Sequence, residues 1–398
     1  MPVERSYRLG DTGPAVAEIR RKLVRLGLLP ADESSPVGDA AGGYAVASRD
    51  QLFGTATFDE ATDRAVRAFQ QQRGILVDGV VGALTYYALD EARWRLGDRI
   101  LFYVPARLMA GDDVATLQQR LLDMGFDCGR VDGLFGVETE QALREFQRNI
   151  GVTADGTCGP ATFKALDRLS RTVTGGSPHA MRDSEAINRA GPTLAGKMVI
   201  VDPGHGGSDP GVPGRPLDNG RLMYDLASRV EGRLTAAGCS AFLTRGPDHG
   251  DTAPSETDRA SFANAAGADL LISLHAAAHG NPLAAGVATY FYGADRFGHR
   301  SAIGERFAGL VQREICARTD LVDCRTHAMN WDLLRRTRMP AVRIDVGYLT
   351  NPGDGARLAD PAFRDVVAEA VVVAVQRLYL PADQDAETGF LRIPALRG

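Results

Sequence analysis

Two histidines stand where apolar runs end, and their type and position could serve a metal ion. His205 follows residues 198–201 and the turn Asp202-Pro203-Gly204, and His275 ends the apolar run 270–274. Open α/β sheets place their binding groups at the carboxyl ends of strands. Imidazoles are common zinc ligands, and a nearby carboxylate can deprotonate a zinc-bound water. The two histidines therefore predict a shared zinc site.

Two further polar residues complete the set of positions that could carry chemistry. Asn219 lies just before a helix predicted to begin near Leu222, and Asp345 lies on a predicted strand over residues 341–346. A single histidine is more often a structural residue. Two histidines at strand ends of one sheet favour a common site instead.

The elements that must position these residues alternate between strand and helix. Apolar runs predict strands at 198–202, 241–245, 270–275, 287–292 and 341–346. Apolar residues every three or four positions predict helices at 222–237, 257–266, 301–319 and 361–378. Such alternation is typical of layered α/β folds. Residues 196–380 are therefore predicted to form an α/β domain with a mostly parallel sheet flanked by helices.

The first part of the chain is an internal repeat of residues 7–92 and 105–169. Residues 68–82, AFQQQRGILVDGVVG, match residues 145–159, EFQRNIGVTADGTCG. Helical periodicity in both copies predicts two small all-α domains. The first copy carries an extra segment, residues 31–51, whose glycine, serine, alanine and aspartate content predicts an exposed loop.

Each copy resembles the small three-helix peptidoglycan-binding domain, with its Phe-Gln and Asp-Gly-x-x-Gly signatures. The resemblance implies weak binding of a glycan or peptide strand, with contacts from the turns Asp78-Gly79 and Asp155-Gly156. Two linked modules raise avidity if both engage, and either copy could instead bind a protein. The apolar residues predicted to be core are Phe69, Leu89, Phe146 and Leu166.

Composition restricts the remaining classes of function. The chain has 398 residues and a formal charge of −5 without a basic cluster, which argues against nucleic-acid binding. No apolar run approaches the roughly 18 residues of a membrane span, and the first ten residues lack an apolar signal segment. Five cysteines without metal or redox spacing favour reduced thiols. These features predict a cytoplasmic protein.

Two segments lie outside the repeats and the α/β domain. Residues 170–195 are predicted to be a linker with a short helix at 182–190, and residues 381–398 are predicted to be a flexible C-terminal tail.

Residues 197–380 resemble the zinc-dependent N-acetylmuramoyl-L-alanine amidases of the amidase_3 type. The matching pieces are the Asp-Pro-Gly-His-Gly-Gly turn at 202–207, the Ser-Leu-His strand end at 273–275 and the segment 340–352. In that family, His, Glu and His hold the metal and a second Glu is the general base. The resemblance implies His205 and His275 as ligands, Asn219 where the Glu ligand is expected, and Asp345 as a shortened, degenerate base.

A chain that combines these altered positions with the lack of an export signal resembles a group of actinobacterial cytoplasmic amidase homologues. The resemblance implies a regulator of peptidoglycan precursor synthesis. A Ser/Thr protein kinase would phosphorylate the regulator on a C-terminal threonine. The phosphorylated regulator would then activate the UDP-N-acetylglucosamine enolpyruvyl transferase. Thr388 is the threonine of the tail. A phosphate there would add about −1.5 to −2 charges that arginines can pair with.

Three functions stay open on the sequence. The leading one is the regulatory pseudoenzyme, for which zinc is expected to be absent or weakly bound. The second is an active zinc amidase that uses Asp218 or a water in place of the Glu ligand. The third is a non-catalytic wall-binding protein that works through the repeats. Weaker candidate residues, predicted to lie in loops or on solvated helix faces, are His249, His299, His327, Glu256 and Glu305.

Overall fold

The computed structural model describes two compact units, which divide after His179. The described residues are 5–30, 56–169, 185, 187, 189–206, 209, 211, 218–247, 253–294 and 299–380. The predicted features outside them are the loop 31–51, most of the linker and of its helix 182–190, His249, and the tail 381–398 with Thr388.

The first unit contains both repeats, and the described residues of each copy include three helices. The helices of the first copy are α1 (Pro14–Arg25), α2 (Glu60–Arg73) and α3 (Ala83–Glu91). Those of the second are α4 (Asp112–Asp123), α5 (Val137–Asn149) and α6 (Pro160–Leu169). The first copy adds a short antiparallel pair, β1 (Thr12–Gly13) with β2 (Ala56–Thr57). The predicted core residues Phe69, Leu89, Phe146 and Leu166 are buried, and the predicted all-α, three-helix architecture is confirmed.

A buried ion pair joins the two copies. Arg73 ends α2 and donates from both terminal guanidinium nitrogens to the carboxylate of Asp112, at 2.6 and 2.8 Å. Asp112 is the first residue of α4, and both residues are less than a tenth exposed. The equivalent positions of the opposite copies carry Ile150 and Pro14. This contact, the Arg73–Asp112 clasp, is therefore specific to the junction between the copies.

The second unit is built on a seven-stranded sheet. Its strands are β3 (Met198–Pro203), β4 (Ser240–Leu243), β5 (Leu270–Ala277), β6 (Val287–Ala294), β7 (His299–Arg300), β8 (Asp323–Met329) and β9 (Ala341–Tyr348). The order is β4-β3-β5-β9-β6, and β7 and β8 both pair with β6. The first four strands of that order are parallel, whereas β6 is antiparallel to β9. The predicted mostly parallel sheet is confirmed.

Helices pack on both faces of this sheet. One face carries α7 (Asn219–Ala236), α9 (Ala302–Arg318), α11 (Pro352–Ala359) and α12 (Pro361–Tyr379). The other carries α8 (Glu256–Ala266) and α10 (Asp332–Arg336). Ile272, Leu274 and Ile344 point to the first face, so strand alternation turns His275 and Asp345 to the second. None of the helices in the described ranges has both the length and the apolar character needed to cross a membrane.

Three sequence predictions about local structure are wrong. Glu256, predicted on a solvated helix face, is half-buried, and its Oε2 accepts from the Leu333 N–H at 3.2 Å because α8 and α10 pack together. Helix α7 begins at Asn219, earlier than the predicted Leu222, because Asp218 caps it: its Oδ1 accepts from the Arg221 N–H at 3.0 Å. Asn219 is therefore the first helical residue and does not precede the helix. His327, predicted in a loop, lies on β8 with an exposed side chain. The prediction also misses β7, α10 and α11, which are short.

Candidate functional site

The turn after β3 brings the two predicted histidines together. The N–H of Gly204 donates to the Leu274 carbonyl at 2.8 Å, which continues the β3–β5 pairing. His205 then takes a left-handed backbone conformation with φ 57°. Its ring centroid lies 5.1 Å from that of His275. A Cβ at position 204 would collide with the His275 ring, so this approach requires glycine.

A chain of hydrogen bonds fixes the tautomer of His275. Asp202 Oδ2 accepts from Ser273 Oγ at 2.6 Å, and Asp202 Oδ1 accepts from Arg259 Nη1 at 2.6 Å. Because the Ser273 hydroxyl gives its one proton to Asp202, it accepts from Nε2–H of His275, 3.1 Å away. The other ring nitrogen, Nδ1, is unprotonated. It is buried without a hydrogen-bond partner among the described residues.

Burial also keeps His275 neutral. Loss of hydration holds the pKa of His275 well below its ordinary value, and the nearby charges of Arg343, His205, Arg259 and Arg245 act in the same direction. An unprotonated nitrogen is the form that can accept a hydrogen bond or bind a metal ion.

We expect the stability of the second unit to fall as the pH drops below about 6.5, the ordinary pKa of histidine. The unfolded chain then binds a proton that folded His275 does not. The stabilisation is therefore complete above the unfolded pKa and is lost below it, by up to about 1.4 kcal/mol per pH unit. Denaturant unfolding between about pH 7 and pH 5 would measure this, with His275→Gln as the variant lacking the effect. Equal pH slopes for the two proteins would contradict the expectation.

Asn219 and His205 each add one acceptor to the same site. The Asn219 amide nitrogen donates to the Ala276 carbonyl at 3.2 Å, and its Oδ1 is buried without a partner among the described residues. His205 Nδ1 lies 2.8 Å from Asp209 Oδ2, so the neutral ring donates there and keeps a lone pair on Nε2. Both side chains thus face the site as neutral acceptors.

Asp345 is held by an arginine on its own strand. It pairs in register with His275 across β5 and β9 and is 6% exposed. Arg343 Nε donates to its Oδ1 at 2.9 Å. The guanidinium carbon of Arg343 also lies 4.5 Å from the ring centroid of Trp331. The carboxylate at the predicted base position is therefore already paired with a cation, the Arg343 guanidinium, on the same strand.

These residues do not fit the zinc site that the sequence resemblance implies. Two imidazole nitrogens and one amide oxygen are all neutral, and the anionic ligand is missing. The nearby carboxylates are already used: Asp209 by His205, Asp218 as a helix cap and Asp345 by Arg343. In the described parts of the chain, no group of three or more His, Cys, Asp and Glu side chains could hold a metal ion.

The predicted ligand turns of the repeats are built by a buried glutamine in each copy. Gln70 bonds the aspartate carboxylate and the glycine N–H of Asp78-Gly79, at 2.7 and 2.9 Å. Gln147 does the same for Asp155-Gly156, at 2.9 and 2.8 Å. Both glycines have φ 73°. The two turns are therefore equivalent, and ligand contact by them stays a prediction.

Three residues of the site are missed by the sequence analysis: Asp202, Ser273 and Arg343. Asp202 lies opposite Ser273 in register on the neighbouring strand. Ser273 and Arg343 precede His275 and Asp345 by two positions, so strand alternation places each pair on one face. That period was the signal available in the sequence.

Both parts of the chain match known families. Residues 199–377 match Amidase_3, N-acetylmuramoyl-L-alanine amidase, and residues 12–89 and 110–166 match PG_binding_1, putative peptidoglycan binding domain. N-acetylmuramoyl-L-alanine amidase CwlM of Mycobacterium tuberculosis is 48% identical over 388 residues, covering 96% of this chain and 92% of that protein. The amidase LytC of Bacillus subtilis is 28% identical over 47% of this chain and 36% of its own length. A crystal structure of an N-acetylmuramoyl-L-alanine amidase from Clostridium difficile 630 is 28% identical, with TM-score 0.42, and covers 46% of this chain and 96% of that one.

Proposed function

The chain belongs to the N-acetylmuramoyl-L-alanine amidase family, and from that premise we propose that it is a cytoplasmic regulator that has lost amide hydrolysis. Its target is peptidoglycan precursor synthesis, through phosphorylation-dependent binding of the UDP-N-acetylglucosamine enolpyruvyl transferase. The observation that carries the proposal is Asn219, a neutral amide buried where the family's anionic metal ligand belongs.

The metal shell is the first of two impaired parts. A catalytic zinc needs protein ligands that hold it while a water stays bound. Changes in residues that merely support such ligands already cost roughly 10–100-fold in affinity or activity. Replacement of the only anionic ligand by Asn219 is a larger change, and the nearby carboxylates of Asp209, Asp218 and Asp345 already have other partners.

The general base is the second impaired part. Asp345 is one methylene shorter than glutamate, which withdraws its carboxylate by about 1.5 Å. A misplacement of about 1 Å can cost about a hundredfold in rate. Its Oδ1 is also bound by Arg343, so only Oδ2 is left to take a proton from water.

The thiols support a cytoplasmic location. Cys128, Cys158, Cys239, Cys316 and Cys324 are all free. Burial raises the pKa of Cys158 to about 12, which keeps that thiol protonated and unreactive. Five unpaired cysteines suit a reducing compartment. A phosphate on Thr388 would supply the charge by which the tail reaches a partner.

The test is hydrolysis by the full chain. Purified peptidoglycan incubated with zinc-loaded protein is expected to release no more stem peptide than His205→Ala does. Release that depends on His205 would sink the proposal.

The proposed regulation is tested separately, by binding. A chain phosphorylated on Thr388 is expected to bind the transferase, and the Thr388→Ala variant treated in the same way is expected not to bind it. Equal binding by both would reject the phosphorylation step.

An active amidase is the second candidate. It is favoured by the buried acceptors on His275 and Asn219, which have no hydrogen-bond partner among the described residues. Elemental analysis separates the two: one tightly held zinc per chain would support the active enzyme. A wall-binding role through the repeats is distinguished by pulldown on insoluble peptidoglycan, which deletion of residues 1–170 would abolish.

A further inference from the structure

We propose that Arg343 is the resident cation of this site: it balances the buried charge of Asp345 in place of a metal ion and keeps a divalent cation out. The inference rests on the proposed loss of hydrolysis and adds a second, independent barrier to metal binding. Asn219 removes an attraction for the metal, whereas Arg343 supplies a repulsion.

Strand register places Arg343 beside the histidine site. Arg343 lies opposite Ser273, and Asp345 lies opposite His275, on adjacent parallel strands. Paired residues of neighbouring strands point to the same face. The bond between His275 Nε2 and Ser273 Oγ shows that both β5 side chains point to this face. The guanidinium is therefore a diagonal neighbour of the His275 ring.

The position of the guanidinium is fixed by two contacts, one of which is itself supported by a neighbouring ring. Asp345 holds Nε, and Trp331 lies against the planar group at 4.5 Å. Tyr290 is its register partner on β6 and packs on Trp331 with ring centroids 4.7 Å apart. The Arg343 side chain is 21% exposed. Such a group is held in one geometry and only partly screened by water.

A second positive charge beside this group is unfavourable. Like charges repel more strongly in a partly buried site than in water. The strand register places the guanidinium diagonally beside the His275 ring, where a zinc ligand would stand. A zinc ion carries twice the charge of an imidazolium and would meet the same repulsion. Removal of the Arg343 charge should therefore uncover metal affinity once an anionic ligand is supplied.

The experiment measures zinc binding by the full chain carrying Asn219→Glu, using equilibrium dialysis with zinc alone. Adding Arg343→Gln removes the charge and keeps a donor for Asp345; this double variant is expected to bind zinc at least about tenfold more tightly. Adding Arg343→Lys keeps the charge and is expected to leave the affinity within about threefold of Asn219→Glu alone.

Two outcomes would overturn the inference. One is equal zinc affinity with and without Arg343→Gln. The other is an increase in zinc affinity with Arg343→Lys that is as large as the increase with Arg343→Gln. The positive charge of Arg343 would then not be the cause of the weaker zinc binding. Melting temperatures verify folding. Arg343→Met, which can pack on Trp331, is the second neutral variant if Arg343→Gln is unfolded. Failure of the proposed function is seen separately, as tightly bound zinc and peptidoglycan cleavage in the unmodified chain.

Discussion

Asn219→Glu alone is expected to raise the affinity of the chain for zinc by at least about a hundredfold, the upper range of effects seen for residues that only support metal ligands. The variant places a carboxylate beside two histidines that each keep an unprotonated nitrogen. His275 Nδ1 is already buried and unpartnered within the described chain. The new carboxylate at position 219 therefore needs little rearrangement of the histidines. Gly211 is the neighbour that has to make room for the longer side chain, because the amide of Asn219 already lies close to it.

Matched variants separate charge from size. Asn219→Gln has the length of glutamate without its charge and is expected to leave zinc affinity near that of the unmodified chain. Asn219→Asp keeps the volume of asparagine and adds the charge, so it shows whether the shorter side chain reaches. Equal binding by the glutamate and glutamine variants would reject the role of the missing charge. Even with zinc bound, Asp345 remains short and bound by Arg343, so peptidoglycan hydrolysis is expected to stay at about 1% or less of an intact site.

Arg73→Met is expected to destabilise the first unit by about 3–5 kcal/mol, the usual cost of removing one partner of a buried ion pair. The variant leaves the Asp112 carboxylate, 9% exposed, without its two bonds from Arg73. Trp331→Phe leaves Trp94 as the remaining one of the two tryptophans. Urea unfolding followed by Trp94 fluorescence in that background therefore measures the first unit.

An exposed pair in the same unit provides the control. Arg67 and Asp63 form an ion pair at 2.8 Å along α2, but the Arg67 side chain is 45% exposed. Arg67→Met is expected to cost less than about 1 kcal/mol. A loss of similar size in Arg67→Met and Arg73→Met would contradict the importance of burial. Removing both clasp partners with Arg73→Met and Asp112→Leu should recover part of the loss, because the Asp112 charge is then no longer buried without its bonds from Arg73.

The elements that the sequence predicts well are those with a buried apolar face. β5 has buried residues at nearly every position, and its apolar run marks it plainly. β8 is an edge strand whose exposed and half-buried residues alternate, so its sequence resembles that of a loop. The start of α7 is displaced for another reason: its apolar periodicity begins near Leu222, while the cap that starts it is Asp218.

The candidate site shows a similar division. His205 and His275 are recognised by position, because each follows an apolar strand. The contact between Arg343 and Asp345 depends on which face of β9 each occupies and on the rotamer that Trp331 enforces. Those are properties of packing between distant segments. Residue type and spacing along the chain do not report them.

The glycine before His205 has a consequence for how such chains are classified. Gly204 is required because the His275 ring fills the space of a side chain, and Gly206 is required by its φ of 108° and its contact with Arg245. Neither demand involves a reaction. The two glycines that flank His205 in the Asp-Pro-Gly-His-Gly-Gly signature are therefore required by the fold itself, whether or not the domain hydrolyses an amide. The presence of these two glycines in a related sequence therefore reports the fold, whereas the chemistry is decided by the residues that line the site.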